Sequence, residues 1–134
     1  NELDLSFSYI NAINDLADVH FTSWRTDMAA VYSGLDIVAL SSLNEGTPVT
    51  LIEAQASNKP IVSTNVGGIL DIVLKDKTAL IAENDKYDFS RKLSSLCEDK
   101  KLRDEMGSFG YEHVKELFSY ERLVYDMRKL YESL

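Results

Sequence analysis

Between Asp36 and Thr64 the chain passes from one apolar run to another through a small-residue loop and a short helical pattern, and few folds accept that order. Ile37-Val38-Ala39-Leu40 is continuously apolar, as a strand buried on both faces of a parallel sheet must be. Ser41 to Thr47 follows as a loop of mostly small and polar residues. Thr47 is placed to cap a helix with Pro48 in its first turn, and that helix should end near Ser57-Asn58. Lys59-Pro60 stops it, and Ile61-Val62-Ser63 is the second apolar run. Two such runs joined by a helix form a parallel βαβ unit.

The alternation extends in both directions. Leu3, Phe7, Ile10 and Ile13 or Leu16 lie at near-helical spacing, predicting a helix over Asn1 to Leu16. Val19 to Trp24 reads as a short strand. Asp27 is a plausible N-cap for a helix over Met28 to Ser33, with Gly34 as its stop. Downstream, Asn65-Val66-Gly67-Gly68 is a loop with two glycines able to take positive φ. A short helix over Ile69 to Leu74, a turn at Lys75-Asp76-Lys77 and a strand at Ala79-Leu80-Ile81 complete the pattern.

After Asp85 three helical stripes follow. Phe89, Leu93, Leu96 and Cys97 mark the first, and Leu102, Met106, Phe109 and Val114 the second. Leu123, Val124, Met127, Leu130 and Tyr131 mark the third, with Ser119 as its cap. The expectation is that Cys97 lies in the core and that the C-terminal Tyr and Phe residues pack on the sheet. The fold class is α/β: a Rossmann-like parallel sheet of at most four strands, with helices on both faces. Doubly wound nucleotide-binding domains have about six strands and a Gly-rich turn after the first. That turn has no counterpart here, so residues 1–134 read as the later part of one such domain.

Composition excludes several functions. At 134 residues and 45% hydrophobic, the chain suits one domain with a sizeable core. Net charge is −8, and residues 1–67 hold only Arg25 and Lys59 as basic groups. No basic patch is present to neutralise a nucleic-acid backbone. No apolar run approaches the ~18–20 residues that cross a bilayer, so no transmembrane segment is expected. A single cysteine, Cys97, cannot form an internal disulfide, which favours a reducing cytoplasmic setting. The start Asn-Glu-Leu-Asp-Leu lacks methionine and reads as a cut end.

Chemistry should concentrate at the carboxyl ends of the strands, where open α/β sheets bind ligands. Ser41 to Thr47 and Thr64 to Gly68 both lie there, with backbone N–H groups that a ligand can approach closely. The helix opening at Pro48 directs its positive dipole end to the same place. Glu45 stands outside that helix and Glu53 inside it, among Leu51, Ile52, Ala54 and Ala56. A carboxylate among apolar neighbours needs a partner or exposure. Spacing alone leaves two readings: Glu53 meets ligand hydroxyls, or it occupies a solvent-facing stripe. His20 and His113 sit at no metal-ligand spacing, so no metal site is expected.

The segment Asn44-Glu45-Gly46-Thr47-Pro48-Val49-Thr50-Leu51-Ile52-Glu53-Ala54-Gln55-Ala56-Ser57-Asn58-Lys59-Pro60-Ile61-Val62 resembles the E-x7-E region of retaining glycosyltransferases with two Rossmann-like lobes. These are the GT-B enzymes of glycosyltransferase family 4, also called glycosyl transferases group 1. Val19-His20-Phe21, Tyr32-Ser33-Gly34-Leu35-Asp36, Val66-Gly67-Gly68-Ile69 and Phe118-Ser119-Tyr120-Glu121-Arg122 follow the family's order, so the likeness spans about residues 17 to 134.

The resemblance implies the C-terminal lobe, which binds a nucleoside diphosphate sugar and transfers its sugar with retention. Glu45 would be the catalytic residue contacting donor-sugar hydroxyls. The backbone of Gly46, Thr47, Pro48 and Val49 would approach the sugar and diphosphate, and Glu53 would hold the ribose. Ser23 to Arg25 would border the base, with Trp24 either flanking it or packed in the core. Gly67 and Gly68 would close the site. No cofactor or obligatory metal is implied. The acceptor, a glycan or a lipid-linked one in a polysaccharide pathway, would bind an N-terminal lobe that has no counterpart in these 134 residues. Nor have the family's first strand and the Arg and Lys that clamp the donor phosphates. The piece alone is expected to be inactive, and the full-length enzyme to be cytoplasmic, with or without membrane association.

The sequence departs from the family at Ser23, Ser41, Ser57-Asn58, Leu70 and Asp71, none of which removes a proposed contact. Two other readings share the pattern: a sugar-nucleotide epimerase of the same fold, and a non-catalytic α/β interaction module.

Overall fold

The computed structural model describes residues 19–83 and 85–134. Its centre is a parallel sheet of β1 (Val38–Leu40), β2 (Ile61–Thr64) and β3 (Ala79–Ala82), in that spatial order. Val38 pairs with Ile61 and Ile61 with Ala79, so the register runs straight across the sheet. All four residues of β2 are buried, the polar Ser63 and Thr64 included, so the middle strand is covered on both faces.

Alternate residues of β2 serve opposite layers. Ile61 joins Val38, Ala79 and Ile81 against Tyr32 of α1 (Met28–Gly34), Leu51 and Ala54 of α2 (Val49–Ala56), and Ile69 and Ile72. Val62 turns the other way, to Leu96 of α3 (Lys86–Glu98) and Met106 of α4 (Lys100–Phe118). Leu51, Ile61, Ile69, Ile72 and Ile81 are fully buried, and each stabilises the fold by about 1.5–3 kcal/mol relative to exposure.

The long helix α4 also flanks α2. A Cβ at Gly107 would lie 2.1 Å from the Asn58 carbonyl oxygen, so only glycine permits that approach. Asn58 ends α2 with φ +57, the left-handed cap expected of it. The Gln55 amide, wholly buried, donates to the carbonyls of Leu51 and Ile72 and ties α2 to the segment after β2.

The helix expected over Asn1 to Leu16 lies outside the described residues. Several other expectations are corrected. Val19 to Trp24 is irregular, with Ser23 at φ +54. A strand exists only when paired, and this stretch joins no ladder among the described residues. The helix after the glycine loop is a single 3-10 turn, Ile69–Asp71. Helix α2 begins one residue later than Thr47 would set it, with Pro48 as N-cap and no capping side chain.

Cys97 is exposed, because it falls one position beyond the buried Leu96. Phe109 is also exposed. Helix α5 (Tyr120–Glu132) begins at Ser119, whose hydroxyl accepts from the Arg122 N–H as expected. It buries no residue and so does not pack on the sheet, since α3 and α4 already cover that face.

Candidate functional site

Two loops leave the carboxyl ends of β1 and β2 and meet. The Thr64 hydroxyl donates to the Ser42 carbonyl at 2.6 Å, and the Gly68 N–H donates to the Gly46 carbonyl at 3.0 Å. Gly67 takes φ +53, a left-handed conformation, whereas Gly68 has φ −83 and needs no such freedom. Both are nevertheless required by contact. A Cβ on Gly67 would fall 1.7 Å from the Glu45 carbonyl oxygen, and one on Gly68 would fall 2.6 Å from that of Gly46. The backbone of Glu45 and Gly46 therefore rests directly on the glycine pair.

Glu45 is half-buried on that platform, and Gly46 and Thr47 are exposed beside it. Pro48 is buried and turns the chain into α2. Pro48 has no N–H to offer, and no side chain caps this helix end. The exposed first turn at Val49 and Thr50 thus presents its N–H groups and the positive end of the helix dipole to the same loop.

Glu53 lies in α2 with an exposed side chain, partnered from below. The hydroxyl of Tyr32, in α1, donates to Glu53 Oε2 at 3.1 Å and also lies 3.2 Å from the Thr50 carbonyl oxygen. Burial is the main reason the Tyr32 phenol is pushed up to about 12, and the Glu53 carboxylate adds to it. Neither spacing nor motif assigns Tyr32 to the site. The available signal was its place on α1, four residues after Met28, which turns its ring inward beneath α2.

Trp24 and Arg25 stand apart from this group. Trp24 is 90% exposed, which overturns the core reading of its ring. Arg25 forms an ion pair with Asp27, which keeps the Asp27 carboxyl low and leaves it no role as a side-chain cap of α1. Across the sheet ends from α2, Ser41, Leu43, Thr64, Phe89 and Leu93 line a groove of about 360 Å³. So the structure brings Glu45, Gly46, Thr47, Pro48, Gly67 and Gly68 to one end of the sheet, with Val49 opening α2 there and Glu53 about a turn further along that helix.

The profile of the family described as "Glycosyl transferases group 1" matches residues 8–113. The chain belongs to this family. Among curated relatives, it is 37% identical over 109 residues to "D-inositol 3-phosphate glycosyltransferase" of Corynebacterium kroppenstedtii, covering 80% of this chain and 24% of that protein. This glycosyltransferase-family chain thus spans about a quarter of that relative's length.

Solved structures agree on architecture. Sucrose-phosphate synthase from Thermosynechococcus elongatus superposes with a TM-score of 0.73 at 26% identity, over 79% of this chain and 27% of that one. Anabaena HepE, solved in complex with UDP, superposes with a TM-score of 0.86 at 19% identity, over 99% and 36% respectively. The α/β class with a parallel sheet is therefore that of these proteins, the C-terminal lobe of the GT-B fold.

Proposed function

We propose that residues 1–134 are the donor-binding lobe of a retaining GT-B glycosyltransferase of family 4, which takes a sugar from a nucleoside diphosphate and passes it to an acceptor. The observation that carries this reading is the joined pair of loops. Gly67 and Gly68 support the Glu45–Gly46 backbone directly in front of the uncapped N-terminus of α2.

In this reading each residue has a part. The N–H groups of the first turn of α2 receive the diphosphate, and the helix dipole stabilises the negative charge that grows on it as the sugar departs. Glu45, half-buried on the glycine platform, accepts hydrogen bonds from donor-sugar hydroxyls and holds the anomeric carbon in place. Glu53 accepts from the two ribose hydroxyls. Trp24 and Arg25 border the base in the exposed segment before α1. No metal is needed in this scheme, because backbone and dipole supply the positive potential with help from basic residues outside this chain. The acceptor, glycan or lipid-linked, binds the other lobe of the full-length enzyme, which works in the cytoplasm with or without membrane association.

Titration of the full-length protein with UDP, GDP and ADP sugars tests the reading. One of the three series should bind, and Glu53→Ala should weaken that binding about tenfold or more, the scale of losing hydrogen bonds to a charged group. Absence of binding by any of them, with Glu53→Ala changing nothing, would leave the non-catalytic module as the reading. Binding accompanied by inversion at a carbon of the sugar in the absence of acceptor would identify the epimerase.

A further inference from the structure

Glu53 sits on the exposed surface of α2, where a glutamate side chain ordinarily samples many rotamers. Here one of its oxygens is held. Tyr32 is 3% exposed, fixed by packing against the core, and its hydroxyl reaches up to Glu53 Oε2 at 3.1 Å. We propose that Tyr32 is a positioning residue for nucleotide recognition: its hydroxyl holds the Glu53 carboxylate so that the remaining lone pairs face the two ribose hydroxyls together. This rests on the reading of Glu53 as the ribose-binding residue.

The donor arithmetic supports the assignment. A phenol has one proton to give, and two acceptors lie within reach, Glu53 Oε2 and the Thr50 carbonyl oxygen. A charged carboxylate is the stronger acceptor. The phenol also stays protonated across any physiological pH, since burial raises it to about 12. An ionised carboxylate offers roughly four lone-pair sites. Tyr32 occupies one and leaves enough for a pair of neighbouring hydroxyls. A carboxylate ordered before the ligand arrives loses less side-chain freedom on binding.

The test uses the full-length protein and whichever nucleoside diphosphate it binds, in its ribo and 2′,3′-dideoxy forms. Tyr32→Phe should weaken the ribonucleotide about three- to tenfold, the range of one hydrogen bond. It should leave the dideoxy form unchanged, and in a Glu53→Ala background it should have no further effect. Equal weakening of both forms overturns the proposal, because it marks a general structural role. Loss with Glu53→Ala but none with Tyr32→Phe also overturns it, while the ribose reading survives. No loss with Glu53→Ala removes the ribose reading itself. Side-chain couplings of Glu53 in the nucleotide-free wild type give a measurement independent of any variant. A single rotamer is expected, and averaged couplings contradict the positioning role.

Discussion

The α-carbon of Gly67 lies so close to the carbonyl of Glu45 that a Cβ would sit 1.7 Å from its oxygen. No side chain can be accommodated there without parting the two loops, and φ +53 adds backbone strain for any other residue. Gly67→Ala should therefore cost about 1–2 kcal/mol of stability in denaturant titration. Its effect on donor binding should be larger, at least roughly tenfold, because the displaced group is the Glu45 backbone rather than the core. Calorimetric titration beside a denaturant series separates the two.

Alkaline unfolding should report the Tyr32 environment. Its phenol is raised from 10.0 in the ordinary case to about 12 in the fold. The resulting stabilisation is complete below pH 10, where both states hold the proton. It is lost as pH rises through about 12, because the unfolded chain releases the proton first. The wild type should lose roughly 2–3 kcal/mol more than Tyr32→Phe across that window, measured by urea unfolding at fixed pH values.

Asp88 should govern the acid side. Its carboxylate accepts from Lys92 Nζ at 2.6 Å and from the Glu83 N–H at 3.0 Å, and Lys92 also donates to the Ile81 carbonyl. This knot fastens the start of α3 to the end of β3, and the pairing with Lys92 is the chief reason the carboxyl is lowered to about 2. The contribution is present above the ordinary value near 3.8 and is lost as pH falls through about 2. The stability gap between wild type and Asp88→Asn should shrink over that interval.

Core and surface leucines and aromatics should separate cleanly. Leu51 of α2 is fully buried in the core against the sheet, whereas Phe109 is 59% exposed on a helix whose stripe suggested otherwise. Leu51→Ala should cost about 3 kcal/mol. Phe109→Ala should stay within about 0.5 kcal/mol. Thermal unfolding of the two variants gives the comparison.

These contrasts show where sequence reasoning holds. The strands Val38–Leu40, Ile61–Thr64 and Ala79–Ala82 were legible from their apolar residues, although Ala39 of β1 is exposed and β2, covered on both faces, also buries polar Ser63 and Thr64. The loops bearing Glu45 and Gly67 followed from the strand ends. Helical stripes were less reliable: Leu96 is buried and its neighbour Cys97 exposed, since a period of 3.6 leaves the edge of a stripe open to either side. Helix α5 has a clear apolar face, none of whose residues is buried among the described residues, and its pattern could not say what it packs against. The Tyr32–Glu53 bond joins residues 21 apart through tertiary contact, and neither spacing nor motif encodes it. The contact between Gly67 and the Glu45 carbonyl is likewise legible only in three dimensions.

A crystal structure of the full-length protein with its nucleoside diphosphate tests the central claim most directly. The account predicts both ribose hydroxyls within about 3.2 Å of the Glu53 carboxylate, with the diphosphate against the backbone of Gly46 to Val49 at the start of α2. A nucleotide bound elsewhere, with Glu53 facing water and the loop at Gly67 empty, would contradict it.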